Sequence, residues 1–336
     1  AMARFQHPTE IVQLPEGLHP ASVEVQRSFW ILTGHASMIE RTPQQAHGNF
    51  IDFCKSYVKP DAQWAIQHLH FNNEDDGRAL ARAIQNNHGV AAVSDGSFSP
   101  KDAYGTAAWI IQDERTGSEL TGRMIIPGQP KDLDAYRCEL GGLYGITVII
   151  DALCMYHSIK SGSITKACDG DMALKHATNE YDWISPARPH FDLIAAIWST
   201  NARTPLKWES KHVKGHQDDC RTALLDRWAH LNIRMDTQAK AHSRDTIGDS
   251  TRTLQQKISG EPWALWIGDR KVVRKLREEV IHHVQGPPCT QYWDEKNRFE
   301  PGDSTAVDWK ATAKAMKTVP HSRRIYVTKH SAGICG

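Results

Sequence analysis

The sequence predicts an α/β domain in which a five-stranded mixed sheet is flanked by helices, with mainly helical N- and C-terminal extensions. Two observations support this prediction. Apolar, β-rich segments follow one another at short spacing between residues 90 and 126, which is typical of an antiparallel meander. Apolar helical and strand-like segments then alternate up to residue 246, as in sheets whose strands are connected through helices. The expected order is strand, strand, strand, helix, strand, helix, helix, strand, helix.

The first predicted strand ends in a carboxylate. Val90–Val93 is an apolar run, and the turn-forming residues Ser94–Ser97 follow it, so we expect a buried strand with Asp95 at its exit. The β-rich segments Tyr104–Ile111 and Glu119–Ile126 complete the meander. Taken alone, an aspartate in this position is more often a turn former than a ligand.

A long apolar segment, Tyr136–Leu153, predicts a buried helix that carries Glu139 near its start. Its glycines lower helix stability but permit close packing on a sheet. A buried carboxylate without a partner is unfavourable, so the structural alternative for Glu139 is a salt bridge to Arg137 or Lys166.

The next carboxylate again follows a strand. Ser163–Cys168 predicts a short strand that ends at Asp169, just before the helical segment Met172–Ala177. Asp171 is an alternative because it lies two residues further along. We prefer Asp169 because it directly follows the strand.

The last part of the domain combines a strand, a loop and a helix. Pro205–Val213 alternates as a strand, and a loop with the glycine-preceded His216 follows. The final helix carries Asn232 and Asp236 among apolar residues at helical spacing. The structural alternatives are a solvated helix residue for Asp236 and an ordinary loop residue for His216.

In this order, the features resemble the type 1 ribonuclease H family. The resemblance covers roughly residues 89 to 245, under half of the chain. Each feature alone is weak, whereas five in the same order are specific. The matching features are Ser94–Ser97 with Asp95, Tyr136–Leu140 with Glu139, Cys168–Asp169, Lys207–Glu209 with Val213–His216, and Asn232–Asp236.

The resemblance implies hydrolysis of a phosphodiester by two Mg²⁺ ions held about 4 Å apart, with Mn²⁺ as a substitute. A cluster of carboxylates without thiolates suits Mg²⁺. By resemblance, Asp95 would bridge both ions, Glu139 and Asp169 would complete one site, and Asp236 would complete the other. His216 would assist proton transfer or product release, since imidazole titrates near neutral pH.

The implied function is that of a metal-dependent endoribonuclease that cuts the RNA strand of RNA/DNA hybrids. A proofreading-type exonuclease would carry an acid two positions after Asp95, where this chain has Ser97. Domains of this kind between helical extensions are similar to those downstream of reverse transcriptase in retroelement polyproteins, so a reverse transcriptase domain is an expected partner. Stand-alone genome maintenance is the alternative. A catalytically silent nucleic-acid-binding or scaffold domain and a nuclease acting on other duplexes stay open.

The expected contacts to nucleic acid are less specific. The basic segment that many bacterial family members carry between their middle helices is missing, since residues 177–205 contain only Arg188 and Arg203 as cations. The C-terminal region is basic, and a solvated helix face is the equal alternative to a phosphate-contacting surface. The candidate contacts are Gly96, Ser97, Lys214, Arg270, Arg274, Lys310, Lys314, Arg323 and Arg324.

Composition limits the remaining classes. A chain of 336 residues accommodates several regions, which we expect at 1–88, 89–246 and 247–336. The formal charge of +1 means that any nucleic-acid-binding surface is local. Seven cysteines without a Cys-x-x-Cys pair argue against a disulfide framework. No secretory signal or uncharged membrane-spanning stretch is evident, so we expect no membrane contact and a location in the nucleus or cytoplasm.

Overall fold

The computed structural model describes residues 19–20, 29–33, 48–178, 185, 187–215, 217, 225–248, 257–258, 260–261, 263–297, 300 and 308–331. The chain divides into two compact units, residues 1–274 and 275–336. The first contains all the described strands, and the second contains three described helices.

The strands of the first unit form two sheets. The smaller one is antiparallel and has the order β1-β2-β9-β10, and the larger one has the order β3-β6-β5-β4-β7-β8. The described strands are β1 (His19–Pro20), β2 (Phe29–Thr33), β3 (His68–Phe71), β4 (Ala91–Ser99), β5 (Tyr104–Gln112), β6 (Glu119–Ile125), β7 (Ser163–Cys168), β8 (Lys207–His212), β9 (Trp263–Ile267) and β10 (Arg270–Val272).

Helices connect and cover these strands. Two short 3₁₀ helices, Pro60–Ile66 and Pro130–Asp132, precede β3 and the longest helix of the unit, respectively. The described α-helices are α1 (Phe50–Tyr57), α2 (Arg78–Gln85), α3 (Ala135–Tyr156), α4 (Asp171–Thr178), α5 (Phe191–Arg203), α6 (Arg227–Thr246), α7 (Leu276–Asn297), α8 (Trp309–Thr318) and α9 (His321–Ser331).

The predicted α/β fold class, with a mixed sheet flanked by helices, is confirmed. From β4 to α6, the α-helices and strands follow the predicted order. The meander β4-β5-β6 is antiparallel, and β4, β7 and β8 run parallel. The larger sheet has six strands instead of five, because His68–Phe71 of the N-terminal region pairs antiparallel with β6. The extensions also supply the smaller sheet, so they are not made of helices alone.

Two apolar clusters lie on opposite faces of the larger sheet. Side chains of a strand point alternately to its two faces, and β4 follows this rule. Ala92 belongs to the large cluster that contains the apolar residues of α3, whereas Ala91 and Val93 belong to the smaller cluster with α6. The middle of β4 is therefore covered on both faces, and its C-terminal end lies between α3 and α6.

α3 is the central helix of the larger cluster. Among the described residues, it is the one helix that is long and apolar enough to span a membrane, with a mean hydropathy of 1.5, but 89% of its apolar stretch is buried in the protein. It approaches β4 so closely that a Cβ atom at Gly142 would lie 2.9 Å from the Cβ atom of Ser94. The glycines of this segment thus serve close packing on the sheet.

The N-terminal region from residue 50 packs on the same core. Phe50, Trp64, Leu80 and Ile84 are all at most 4% exposed and belong to the cluster formed with α3. The Trp64 ring stacks on Tyr144 of α3 at a centroid distance of 5.4 Å. Residues 50–88 therefore help to fix the position of α3, the helix that carries Glu139.

Candidate metal centre

Two of the predicted carboxylates meet because β4 and β7 are parallel neighbours. Their register pairs Val93 with Ala167. Asp95 and Asp169 each follow two residues later, so the two strands deliver both carboxylates at the same edge of the sheet. This is the edge at which open α/β sheets usually bind their ligands.

Glu139 joins the pair from the first turns of α3. Asp95, Glu139 and Asp169 each offer an oxygen atom, and these three atoms all lie within 4.8 Å of one another. The Gly96 backbone N–H donates to Glu139 Oε1 at 3.1 Å and so fixes the glutamate against β4. A Cβ atom at Gly96 would lie 2.6 Å from the backbone nitrogen of Glu139, so only glycine permits this close approach.

The three carboxylates are electrostatically strained in the absence of a cation. Burial, together with the nearby Asp169 and Asp236, raises the pKa of Asp95 to about 8. Burial and the charges of Asp95 and Asp169 raise the pKa of Glu139 well above its usual value. Like charges around one point disfavour ionisation, and a divalent cation reverses this effect.

One oxygen of this cluster has no partner within the part of the chain that the structure describes. Glu139 Oε2 is buried and accepts no hydrogen bond there. An unsatisfied buried carboxylate oxygen is unfavourable unless a ligand completes it. The donor set consists of carboxylate oxygens, the ligands that Mg²⁺ and Mn²⁺ prefer. The residues therefore fit a divalent metal ion.

α6 approaches the cluster with the fourth carboxylate and with an amide. Asn232 is 2% exposed, and its Nδ2 atom donates to Asp95 Oδ2 at 3.4 Å. Asp236 is close enough to raise the pKa of Asp95, but its carboxylate binds Lys240 Nζ at 2.7 Å. Asp236 is not among the three residues whose oxygens converge. The sequence motif contained Asn232, but its contact with Asp95 was not predicted.

The neighbours of Asp169 differ in their position. Asp171 is exposed and pairs with Lys175 at 2.7 Å, so it is Asp169 that joins the cluster. Gly215 lies against the Asp169 carboxylate, and His212 Nε2 is 3.0 Å from the backbone oxygen of Asp169.

The remaining candidates beside the carboxylates differ in exposure. Lys214 is exposed beside Gly215. Gly96 and Ser97 follow Asp95 on β4 and are half-buried. His216 lies outside the described residues.

The salt bridges considered for Glu139 are not formed. Arg137 is fully buried and binds Asp192 through both terminal nitrogens, each at 3.0 Å. Lys166 donates instead to Thr147 Oγ1 and to Asn201 Oδ1 at 2.8 Å. Glu139 is therefore placed by packing and by the backbone of β4, not by a cation.

Two candidate phosphate contacts form ion pairs with carboxylates of the first unit. Arg270 is 7% exposed and binds Asp132 at 3.0 Å. Arg274 binds Asp134, the N-cap of α3, at 2.7 Å. Both arginines thus stabilise the start of α3, and the expectation of a free phosphate-binding surface at these positions is not met.

The other C-terminal candidates lie in the second unit. Lys310 and Lys314 belong to α8, and Arg323 and Arg324 belong to α9. The side chains of Lys314 and Arg323 are exposed, and Arg324 is half-buried.

Comparisons with known proteins found similarity in structure only. Neither a protein-family model nor a curated protein sequence matches this chain. One similar solved structure is the N-terminal RNase H domain of rv2228c from Mycobacterium tuberculosis, fused to maltose-binding protein. It is 11% identical to this chain, the match covers 48% of this chain and 98% of that chain, and the TM-score is 0.31. RNase H1 of Halobacterium salinarum NRC-1 has 16% identity, coverage of 46% and 98%, and a TM-score of 0.31. LC11-RNase H1 in complex with an RNA/DNA hybrid has 11% identity, coverage of 45% and 94%, and a TM-score of 0.32. At such distances the activity of this chain has to be inferred from its own side chains.

Proposed function

We propose that this chain is a divalent-metal-dependent endoribonuclease that hydrolyses the RNA strand of RNA/DNA hybrids. The observation that carries the proposal is the convergence of Asp95, Glu139 and Asp169 within 4.8 Å, together with the unsatisfied, buried Glu139 Oε2. The ordered ribonuclease H-like motifs support the assignment of hybrid as the substrate.

The carboxylates supply the ligands for Mg²⁺ or Mn²⁺. Asp95 lies centrally, since it is close to Glu139, Asp169 and Asp236. Asp236 would hold a second metal ion in place of its ion pair with Lys240. Bound metal ions of this kind activate water and stabilise the leaving oxygen of a phosphodiester. Asn232 orients the Asp95 carboxylate through its side-chain amide.

Two further groups are assigned to the substrate side. His216 assists proton transfer or product release, a role that suits the imidazole group in general. The exposed Lys214 contacts a phosphate, and Gly96 and Ser97 lie along the strand that carries Asp95. Selectivity for hybrid arises because 2′-hydroxyls and A-form-like geometry mark the RNA strand.

The cellular setting follows from the same proposal. Hybrids arise when RNA is copied into DNA, so a reverse transcriptase domain of a retroelement polyprotein is the natural partner. Such copying takes place in the cytoplasm or nucleus, and an intracellular location is part of the proposal.

A substrate panel tests the activity. The wild-type chain is incubated with Mg²⁺ or Mn²⁺ and with labelled RNA/DNA hybrid, single-stranded RNA or duplex DNA. We expect cleavage of the RNA strand of the hybrid alone. Loss of one acidic metal ligand removes much of the stabilisation of the transition state, so Asp95→Asn should lower the rate by at least about a hundredfold. The matched control is Asp171→Asn, two residues from Asp169 and outside the cluster, and it should leave the rate unchanged.

Calorimetry with Mn²⁺ separates the proposal from a silent binding domain. We expect the wild type to take up Mn²⁺, and Asp95→Asn to lose this uptake. Normal hybrid affinity without metal uptake or cleavage would identify a binding or scaffold domain. Cleavage of duplex DNA at a rate equal to that of the hybrid would identify a nuclease of broader specificity.

A further inference from the structure

The last two described helices concentrate positive charge. Residues 309–331, which span α8 and α9, contain six Lys/Arg and no Asp/Glu, although the whole chain has a formal charge of only +1. α7, in the same unit, has two Lys/Arg and four Asp/Glu. The excess is therefore confined to α8 and α9. The six cations are Lys310, Lys314, Lys317, Arg323, Arg324 and Lys329.

Four of these cations have described side chains, and none of the four is neutralised by another described residue. Lys314, Lys317 and Arg323 are exposed, and neither they nor Arg324 form an ion pair with any part of the chain that the structure describes. Residues three apart share one face of a helix, so the exposed Lys314 and Lys317 lie on the same face of α8. The basic residues of β10 differ, because each of them binds a carboxylate of the first unit.

α9 also exposes apolar and aromatic surface. Tyr326 is 60% exposed, and Ile325 is 43% exposed, directly after Arg323 and Arg324. Within the described part of residues 275–331, no apolar side chain is buried. The described apolar side chains of α8 and α9 are thus at least partly exposed. Cations interleaved with an exposed aromatic ring suit a nucleic-acid strand, whose phosphates bind cations and whose bases stack on aromatic rings.

We propose that α8 and α9 form a nucleic-acid-binding surface that contacts the phosphate backbone without reading sequence. The partner class is a nucleic acid, because the charge on these helices is positive and is not neutralised by described carboxylates. The phosphates of a nucleic-acid backbone carry the complementary negative charge. This proposal goes beyond the proposed cleavage and does not depend on it, since it concerns the second unit alone.

Salt-dependent binding tests the surface in the full chain. The Asp95→Asn variant prevents cleavage, and fluorescence anisotropy with labelled RNA/DNA hybrid, single-stranded RNA and duplex DNA is measured from about 50 to about 200 mM salt, the range in which phosphate contacts dominate. Each cation–phosphate contact contributes about 0.7 to 0.9 to the slope of log affinity against log salt concentration. The triple variant Lys314→Gln/Arg323→Gln/Arg324→Gln should therefore reduce the slope by about 2 to 3 and weaken binding at least about tenfold at low salt.

Two matched variants isolate the position of the charge. Lys101→Gln/Lys160→Gln/Arg277→Gln removes the same charge from exposed sites elsewhere and should leave the slope nearly unchanged. Lys314→Arg/Arg323→Lys/Arg324→Lys keeps the charge and should retain both slope and affinity. Circular dichroism of each variant checks that its helices are formed.

An unchanged slope in the glutamine variant would overturn the proposal. Equal losses in the two charge-removing variants would also overturn it, since net charge alone would then explain binding. Binding to vesicles with anionic lipid, lost in the glutamine variant while nucleic-acid binding persists, would assign the surface to a membrane instead. Mg²⁺-dependent cleavage by the wild type is measured separately, so failure of the carboxylate site and failure of this surface are distinguishable.

Discussion

Arg137, which lies two residues before Glu139, forms a buried ion pair with Asp192. Both terminal nitrogens of Arg137 lie 3.0 Å from the Asp192 carboxylate, which also accepts from Lys271 Nζ at 3.2 Å. The side chains of all three residues are at most 2% exposed. Arg137 belongs to the first turn of α3 and Lys271 to β10. The C-terminal hairpin is therefore linked to the start of the helix that carries Glu139.

Removing the shared carboxylate should destabilise the first unit strongly. Asp192→Asn removes the carboxylate that Arg137 and Lys271 share, although Lys271 keeps Glu261 at 2.7 Å. Removing one partner of a buried ion pair costs about 3 to 5 kcal/mol. Asp171→Asn removes an exposed carboxylate that pairs with Lys175, and should change stability little. Urea unfolding followed by tryptophan fluorescence measures both variants. Equal unfolding midpoints for the two variants would contradict the role of the buried network.

Glycine at position 96 should be indispensable to the approach of α3. A Cβ atom there would lie 2.6 Å from the Glu139 nitrogen, so Gly96→Ala forces the strand and helix apart. Overpacking of this kind costs about 1 to 3 kcal/mol. Gly248→Ala is the control, because a Cβ atom there meets nothing within 4 Å and its φ is not positive. A stable Gly96→Ala variant with unchanged Mn²⁺ affinity would show that the close approach is not needed.

The local patterns of the sequence were sufficient to predict the carboxylate-bearing elements. Apolar runs located β4 and β7, and Asp169 directly follows β7 as predicted. The predicted turn at Ser94–Ser97 was wrong, because β4 continues to Ser99 and Asp95 pairs with Ala108 inside the strand. The preference for Asp169 over Asp171 rested on its position directly after the strand, and Asp169 is the one whose oxygen lies near Asp95 and Glu139. These inferences depend on residues close together in sequence, where periodicity and turn chemistry are informative.

The same patterns could not predict contacts between residues far apart in sequence. β3 is a short strand, and its pairing with β6 depends on a partner about fifty residues away. Arg270 and Arg274 were predicted to lie on a basic surface, because the sequence alone does not reveal their ion pairs with Asp132 and Asp134, respectively. The same limit applies to Asn232, whose partner Asp95 is 137 residues away.

His242 should make the first unit less stable in mild acid. Burial, His68 and Arg123 lower its pKa to about 4, although Asp245 acts in the opposite direction, and its Nε2 atom has no partner within the described residues. Between about pH 6.5 and about pH 4 the unfolded chain binds a proton that the folded protein does not, so stability falls as the pH falls. The loss approaches about 3 kcal/mol at about 1.4 kcal/mol per pKa unit.

Urea unfolding from pH 4 to pH 7.5 measures this loss by difference. His242→Gln should remove the corresponding part of the pH dependence, whereas the exposed His70→Gln should retain it. Identical pH dependence in the wild type and in His242→Gln would contradict the assignment to this imidazole.

Lys240 should compete with a metal ion for Asp236. Its ammonium lies 2.7 Å from the Asp236 carboxylate, one helical turn away on α6, and Asp236 in turn influences Asp95. Replacing the ammonium by a neutral amide frees the carboxylate for a divalent cation. Lys240→Gln should therefore increase Mn²⁺ affinity by several-fold, on the order of 1 kcal/mol for one exposed charge pair.

The matched control is Lys175→Gln, because Lys175 and Asp171 form the same i,i+4 pair at 2.7 Å outside the cluster. Its Mn²⁺ affinity should equal that of the wild type. Calorimetry with Mn²⁺ compares the three proteins. A weaker affinity in Lys240→Gln would mean that Lys240 supports the site, since the same ammonium also favours the ionised form of Asp95.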